Sequence, residues 1–159
     1  MNILVQKYGG TSVGSIERIM NVAKRIIEYK NQGYAMVVTV SAMAGETDRL
    51  INLAKQITPQ PDGRELDMMV STGEQVSIAL LAIALHSMGY KAISMNAYQA
   101  GIYTDSVYTK AKIGKINTER IIKELENDNI VIVAGFQGID DNYNITTLGR
   151  GGSDTTAVA

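Results

Sequence analysis

The sequence predicts an α/β protein in which a mainly parallel sheet is covered by helices on both faces. Short apolar strands alternate with amphipathic helices along the chain, an order typical of parallel strands joined by helical crossovers. Two of these strands, Ala35–Val40 and Ile130–Ala134, are apolar at nearly every position, which indicates burial on both faces of a sheet. A length of 159 residues with 45% hydrophobic content suits one domain with a sizeable core.

The first part of the chain predicts a strand, a helix and a second strand. Residues 3–6 form an apolar run followed by glycines, so we expect a strand buried on both faces. Apolar residues at helical spacing come next, with Ser15 as the expected N-cap and Gly33 as the end of the helix. Together with Ala35–Val40 these segments form a crossover unit whose strands should be parallel.

Helices dominate the middle of the chain. One is expected at about residues 48–57, and the proline-bearing stretch 58–63 predicts a turn. A helical pattern follows, is interrupted near residues 71–73 and continues to Met88. Because residues 78–85 are apolar on every side, we expect this helix to be enclosed by the core.

The last third of the chain predicts a strand at 91–95 and then tyrosine-rich loop or edge structure at 98–109. A helix at 116–126, capped by Asn117, follows. The strand Ile130–Ala134 and a hairpin-like stretch at 140–144 come next. A glycine-rich loop then leads into the first turns of another helix.

Composition narrows the class of protein. With 15 basic and 16 acidic residues, the chain has no field that would attract nucleic acid or an anionic membrane. The absence of cysteine excludes disulfides and thiolate metal sites and fits the cytoplasm. The first residues do not have the pattern of a secretory signal, so we expect no leader, and the longest apolar run, 78–85, is shorter than the roughly 20 residues a bilayer requires. We therefore expect a soluble cytoplasmic protein.

The loop at residues 148–156 has the highest density of reactive groups. It combines Arg150, three glycines, Ser153 and Asp154 immediately before a predicted helix. Glycines let backbone amides approach an anion, and an arginine guanidinium pairs with a carboxylate through two parallel hydrogen bonds.

A second candidate loop follows the first strand and contains Lys7, Gly9, Gly10 and Thr11. Its glycine amides and lysine charge suit a phosphate. The spacing matches neither the phosphate-binding loop of nucleotidases nor the dinucleotide-binding glycine pattern. From the residues alone, an anion-binding loop and an ordinary tight turn are both compatible with this segment.

Three further polar residues follow strands or begin helices. Ser41 and Thr47 offer hydroxyls after the second strand, although Thr47 is equally well explained as a helix cap. Glu74 lies near a helix start, where a carboxylate most simply complements the helix dipole. Together with Arg150, however, Glu74 could bind a zwitterionic amino acid. The arginine would pair with its carboxylate, and Glu74 would accept a hydrogen bond from its ammonium group.

Other conspicuous residue types have structural explanations. His86 is the only histidine and has no cysteine or second histidine with which to bind a metal, so no metal site is expected. The eight methionines suit core packing. The tyrosines at 98, 103 and 108 suit packing or a subunit contact.

Taken together, five segments resemble the aspartate kinases of the amino acid kinase family: residues 7–12, 40–43, 71–75, 134–138 and 146–156. Their order and spacing match over essentially the whole chain, and the last two distinguish aspartate kinases from acetylglutamate, glutamate, carbamate and uridylate kinases. The resemblance implies an αβα sandwich, the amino acid kinase fold. It also implies phosphorylation of the side-chain carboxylate of L-aspartate by ATP with Mg²⁺, at the entry to lysine, threonine and methionine synthesis, and we expect the full-length enzyme to be a homo-oligomer.

The resemblance also assigns roles. The phosphate would be held by Lys7, Gly9, Gly10 and Thr11, with Asp154 beside the catalytic Lys7. Aspartate would be held by Thr47, Glu74 and Arg150, and lesser contacts would come from Ser41 and Ser153. The attacking carboxylate has a pKa of about 3.9 and is ionised at neutral pH, so no general base is needed. We therefore interpret Asp154 as a residue that orients Lys7 and balances its charge, and not as a proton acceptor.

The likeness covers only the first part of an aspartate kinase. We expect residues 1–159 to be the aspartate-binding part of the catalytic domain, without the nucleotide-binding part or the regulatory ACT domains, and to bind ATP weakly alone. Two alternatives stay open: a non-catalytic amino-acid-binding module, and another small-molecule kinase of the same fold.

Overall fold

The computed structural model describes all 159 residues. Its strands, in chain order, are β1 (Ile3–Tyr8), β2 (Ala35–Val40), β3 (Ala92–Met95), β4 (Ile102–Thr104), β5 (Ile113–Ile116), β6 (Ile130–Ala134), β7 (Gln137–Ile139) and β8 (Ile145–Thr147). The helices are α1 (Ile16–Asn31), α2 (Glu46–Ile57), α3 (Gly63–Val70), α4 (Thr72–Ser87), α5 (Ala97–Ala100), α6 (Glu119–Glu126) and α7 (Gly152–Val158).

The central sheet has the order β1-β2-β6-β3, and every pair in it is parallel. Helices α1 and α4 cover one face, where Ile26, Leu81 and Ile132 belong to the larger core. On the opposite face, Leu125 of α6 packs with Val131 in a smaller core. Alternate residues of β6 therefore serve two cores, as the two-residue period of a strand requires. This arrangement confirms the predicted α/β class with a mainly parallel sheet between helices.

A second, mixed sheet has the order β5-β4-β7-β8. Its strands have only three or four residues each, too few to show a clear apolar period in the sequence. Strands β7 and β8 form an antiparallel hairpin, which confirms the hairpin-like character of residues 140–144.

The expectation that the first strand is buried on both faces is wrong. Strand β1 lies at an edge of the central sheet, and Ile3 and Val5 are 44% and 46% exposed. The face that carries them meets α7, a helix of only seven residues, which is too short to cover the whole strand.

Helix α4 is also less enclosed than its composition predicts. Ile78 and Leu85 face the core, but Val76 and Ile83 on the outer side are 51% and 61% exposed, because a helix lying on a sheet can bury only one side. Helices α3 and α4 are almost continuous, and Gly63–Ser87 is long and apolar enough to span a membrane by length and composition, with more than half of its apolar stretch buried in the protein.

Two helix starts differ from expectation. Helix α6 begins at Glu119, three residues late, because Ile116 still belongs to β5. Asn117 is not its N-cap, although its side-chain oxygen accepts from the Glu119 amide at 3.0 Å. Helix α2 begins at Glu46, two residues earlier than expected. The N-cap Ser15 of α1 is confirmed, since its hydroxyl accepts from the Arg18 amide.

Candidate active site

A cleft of about 580 Å³ lies at the carboxyl edge of the central sheet, where ligands bind in open parallel sheets. The loops that follow β1, β2 and β6 meet there with the first turns of α4 and α7. Its lining includes eight residues singled out from the sequence: Lys7, Gly10, Ser41, Thr47, Glu74, Arg150, Ser153 and Asp154. Convergence in one cleft is what a common site requires.

A larger and more open groove, about 1060 Å³, runs beside β1 and α1. It is lined mostly by helix side chains such as Arg18, Arg25 and Glu28, and it contains none of the strand-end loops after β2 or β6. The smaller cleft is therefore the better candidate for chemistry.

Lys7 and Asp154 form an ion pair across the cleft. The ammonium nitrogen of Lys7, near the end of β1, lies 2.9 Å from a carboxylate oxygen of Asp154. Asp154 occupies the first turn of α7, where a carboxylate complements the positive end of the helix dipole. Both side chains are partly exposed, so the pair is accessible to a ligand.

Glycines bring the Lys7 loop against its neighbour. A Cβ at Gly10 would lie 2.8 Å from the carbonyl oxygen of Ala42, so only glycine allows this close approach. Gly9 lies beside the Lys7 ammonium group. Thr11 does not line the cleft: its side chain is exposed, and its carbonyl accepts from Arg18 at 3.0 Å.

The loop after β2 supplies Ser41 and leads to Thr47. The Ser41 hydroxyl lies 2.6 Å from that of Ser153, which joins this loop to α7. Gly45, with φ of 81°, occupies the N-cap position of α2. Thr47 therefore lies inside the helix rather than capping it, and it lines the cleft. The alternative explanation of Thr47 as a cap is wrong.

Glu74 is the only carboxylate buried at the bottom of the cleft, with 2% of its surface exposed. Burial raises its pKa to about 7, and the backbone amides of Glu74 and Ala42 and the side-chain amide of Gln137 offset this only in part. The Gln137 amide nitrogen lies 3.5 Å from the Glu74 carboxylate, and no lysine or arginine pairs with it. A helix dipole alone would not require such burial, since an exposed carboxylate serves that purpose equally well.

Arg150 lies in the turn between β8 and α7. Gly149 and Gly151 flank it with φ of 86° and 73°, a left-handed conformation that favours glycine. Arg150 is exposed and forms no ion pair. The cleft thus holds a buried carboxyl group and an exposed guanidinium group that form no ion pair with each other, an arrangement suited to a zwitterion.

Two residues of the site had no individual role in the sequence interpretation. Phe136 lines the cleft with φ of 72°, an unusual conformation for a bulky residue. A Cβ at Gly152 would lie 2.8 Å from its ring, so the ring packs against the start of α7. The side-chain amide of Gln137, which lies beside Glu74, donates to the Ser71 carbonyl oxygen at 2.9 Å. The glycines at 135 and 138 were a signal of an irregular turn but not of these contacts.

Comparisons with known proteins identify relatives of this chain. The sequence model of the amino acid kinase family matches residues 2–159. An aspartokinase from Bacillus sp. (strain MGA3) is 60% identical over the whole chain, which covers 39% of that protein. One from Geobacillus stearothermophilus is 61% identical, again with 39% of its length covered. The chain therefore spans about two fifths of the length of these curated relatives.

Solved structures show the same fold. The crystal structure of aspartate kinase from Synechocystis superposes with a TM-score of 0.84 at 50% identity, covering 99% of this chain and 26% of that one. E. coli aspartokinase III, solved in complex with aspartate and ADP, gives a TM-score of 0.87 at 23% identity over 98% of this chain and 45% of that one, a similarity of fold. With a family match over essentially its whole length and the expected cleft at the strand ends, the chain belongs to the amino acid kinase family.

Proposed function

We propose that this chain forms the aspartate-binding and phosphate-side part of an aspartate kinase, which transfers the terminal phosphoryl group of ATP to the side-chain carboxylate of L-aspartate. The observation that carries the proposal is the buried, unpaired Glu74 in a cleft that also holds Arg150 and the Lys7–Asp154 pair. The relatives named aspartokinase support it, as does the E. coli structure solved with aspartate and ADP.

In this proposal the cleft recognises both charges of the amino acid. Arg150 binds the α-carboxylate through two parallel hydrogen bonds, and Glu74 accepts from the α-ammonium group. Thr47 and the Ser41–Ser153 pair line the same cleft. With its α-carbon held in this way, aspartate directs its side-chain carboxylate towards Lys7.

Phosphoryl transfer then needs placement and charge neutralisation. An oxygen of the ionised side-chain carboxylate forms a bond to the γ-phosphorus, the bond from that phosphorus to the bridging oxygen breaks, and ADP leaves with the electron pair. Lys7 and the amides of Gly9 and Gly10 stabilise the phosphoryl oxygens. Asp154 holds the Lys7 ammonium group in place. Mg²⁺ bound to the ATP phosphates would neutralise part of their charge.

The proposal is tested by trapping the acyl phosphate with hydroxylamine in the presence of ATP, Mg²⁺ and L-aspartate. The assay is run on this chain and on a fusion to the segment that follows the matched region in the Bacillus sp. relative. Aspartyl hydroxamate from either protein supports the proposal. Preference for glutamate or N-acetylglutamate as acceptor would indicate another kinase of this fold. Tight aspartate binding by calorimetry, with no hydroxamate from either protein, would indicate a non-catalytic binding module.

Location and assembly belong to the proposal as well. An enzyme that consumes free aspartate and ATP is expected in the cytoplasm, and we propose that the full-length enzyme is a homo-oligomer. Fractionation of cells and light scattering of the fusion protein test these two points.

A further inference from the structure

Asp67 is a second buried carboxylate, and it lies outside the cleft. It belongs to α3 and has 1% of its surface exposed. No lysine or arginine pairs with it. An isolated charge buried in this way is unfavourable unless hydrogen-bond donors satisfy it, so its donors indicate what it stabilises.

Three donors surround the Asp67 carboxylate. One oxygen accepts from the backbone amides of Thr109 and Thr147, each at 2.9 Å. The other oxygen accepts from the Thr147 hydroxyl at 2.8 Å. Hydrogen bonds to an ionised acceptor are roughly twice as strong as neutral ones. Asp67 therefore connects α3 to two segments that are remote in sequence, one at Thr109 and one at Thr147.

Both segments support the turn that carries Arg150. Thr147 is the last residue of β8, three residues before Arg150. Thr109 has φ of 69°, a strained conformation for a β-branched residue, and its carbonyl oxygen would lie 3.4 Å from a Cβ at Gly149. The Thr147 carbonyl also accepts from Ala111 at 2.9 Å, which closes the two segments on each other.

The helix that carries Asp67 also leads to Glu74. The two carboxylates are seven residues apart, about two helical turns, and only Ser71 interrupts the helix between them. The same buried side of α3 and α4 thus presents Asp67 to β8 and Glu74 to the cleft.

We propose that Asp67 is a positioning residue that sets the placement of Arg150 relative to Glu74, and so the fit of the α-carboxylate and α-ammonium groups of the amino-acid substrate. The assignment rests on the proposed function of the cleft. Asp67 does not touch substrate; it acts through Thr147 and Thr109.

The test compares L-aspartate with β-alanine, which has the same ammonium and side-chain carboxylate but lacks the α-carboxylate that Arg150 would bind. Calorimetric titrations use the full chain as wild type, Asp67→Ala, Asp67→Asn and Thr147→Val. Ile26→Val, a core change in α1 far from the cleft, is the control for lost stability. Hydrogen exchange of the Thr147 and Leu148 amides, which donate to Asp67 and to the Phe136 carbonyl, is measured on the same proteins.

Asp67→Ala leaves two amides without a buried acceptor, so we expect aspartate affinity to fall by about tenfold or more while β-alanine affinity changes less than about twofold. The Asp67→Asn variant keeps a side-chain carbonyl oxygen as acceptor for both amides, so it should stay within about threefold of wild type for aspartate. Exchange protection of the Thr147 and Leu148 amides should be lost in Asp67→Ala and kept in Ile26→Val.

Equal loss for both ligands, or unchanged aspartate affinity in Asp67→Ala, overturns the proposal. If Asp67→Ala does not fold, Thr147→Val decides: loss of one hydroxyl contact should weaken aspartate binding about threefold and leave β-alanine unaffected, and no effect on aspartate overturns the proposal. If wild type alone binds no aspartate, the same titrations use the fusion protein, and the proposed function fails if that protein also binds none. The exchange data then decide the positioning role alone, and unchanged protection of the Thr147 and Leu148 amides overturns it.

Discussion

Glu74 is a buried carboxyl group that pairs with no basic side chain. Its raised pKa, about 7, follows from that burial. An ammonium group placed beside the carboxylate would restore the ordinary preference for the ionised form. Ligand binding and proton release are therefore coupled at this residue.

We expect aspartate binding to depend on pH through Glu74. Below pH 7 the ligand must displace a proton, so its dissociation constant should fall by up to about tenfold per pH unit as pH rises and should level off near pH 7. Calorimetry from pH 5.5 to 8.5 measures this. Glu74→Gln should bind more weakly and lose the pH dependence below 7. An identical pH profile in Glu74→Gln would show that another group is responsible.

The same residue has the opposite effect on stability. Its folded pKa lies above the ordinary value of 4.5, so the folded state holds a proton that the unfolded chain releases between about pH 4.5 and 7. Its contribution to the free energy of unfolding therefore decreases as pH rises through that window. Glu74→Gln should accordingly be more stable than wild type at pH 8, as a urea titration would show.

Lys7 should matter for turnover and little for folding. Its ion pair with Asp154 is partly exposed, and such pairs contribute about 0–1 kcal/mol. We expect Lys7→Ala to lower kcat of the fusion protein by about 100-fold or more, since it removes charge from the phosphoryl oxygens. Lys24→Ala, an exposed lysine of α1 outside the cleft, is the matched control. Unchanged turnover in Lys7→Ala would remove this residue from the mechanism.

At the scale of elements, the cleft depends on how closely the strand-end loops approach one another. Besides Gly10, Gly73 at the start of α4 has no room for a side chain: its Cβ would lie 2.9 Å from that of Ala42. Ala42 is thus enclosed between the turn after β1 and the helix that carries Glu74. Displacement of either element would change the distance between the phosphate side and the amino-acid side of the cleft.

Gly10→Ala should separate these elements. Its side chain would meet the Ala42 backbone, and overpacking of this kind destabilises by about 1–3 kcal/mol. We expect this loss in urea unfolding, together with weaker turnover in the fusion protein. Gly114→Ala in β5, where a Cβ would meet nothing within 4 Å, is the control and should not destabilise. Equal stability of the two variants would contradict the close-approach argument.

At the scale of the whole molecule, β6 joins the two cores. Ile132 faces the core under α1 and α4, whereas Val133 faces the core under α6. Neither layer of helices can separate from the sheet without exposing one side of this fully buried strand. The two cores should therefore unfold together.

Leu81→Ala on α4 and Leu125→Ala on α6 test this coupling, since they remove buried side chains from opposite cores. Each should lower the free energy of unfolding by about 2–5 kcal/mol. Calorimetry should still show one transition, shifted to lower temperature in both variants. A second transition in either variant would show that the layers unfold independently.

The order of strands and helices could be predicted because its signals are local. The apolar runs at Ala35–Val40 and Ile130–Ala134, the N-cap Ser15 and the helical spacing of α1 all act within a few residues of themselves. The meeting of Lys7 and Ser41 followed from one further rule, that the carboxyl ends of parallel strands share an edge. Arg150 follows β8 of the second sheet, so that rule does not explain its place in the cleft.

Tertiary structure decided which faces are covered and which charges stay unpaired. The exposure of Ile3 in β1 and of Ile83 in α4 depends on the extent of the neighbouring layer. Glu74 is buried beside Gln137, and Asp67 accepts a hydrogen bond from the Thr147 amide. In each case the two residues are more than 60 positions apart in the sequence. Sequence periodicity reports the preferences of one segment, whereas burial and hydrogen-bond satisfaction are set by what folds against it. Eight residues that line the cleft could therefore be singled out in the sequence, whereas their burial and their unpaired charges arose only when the loops packed together.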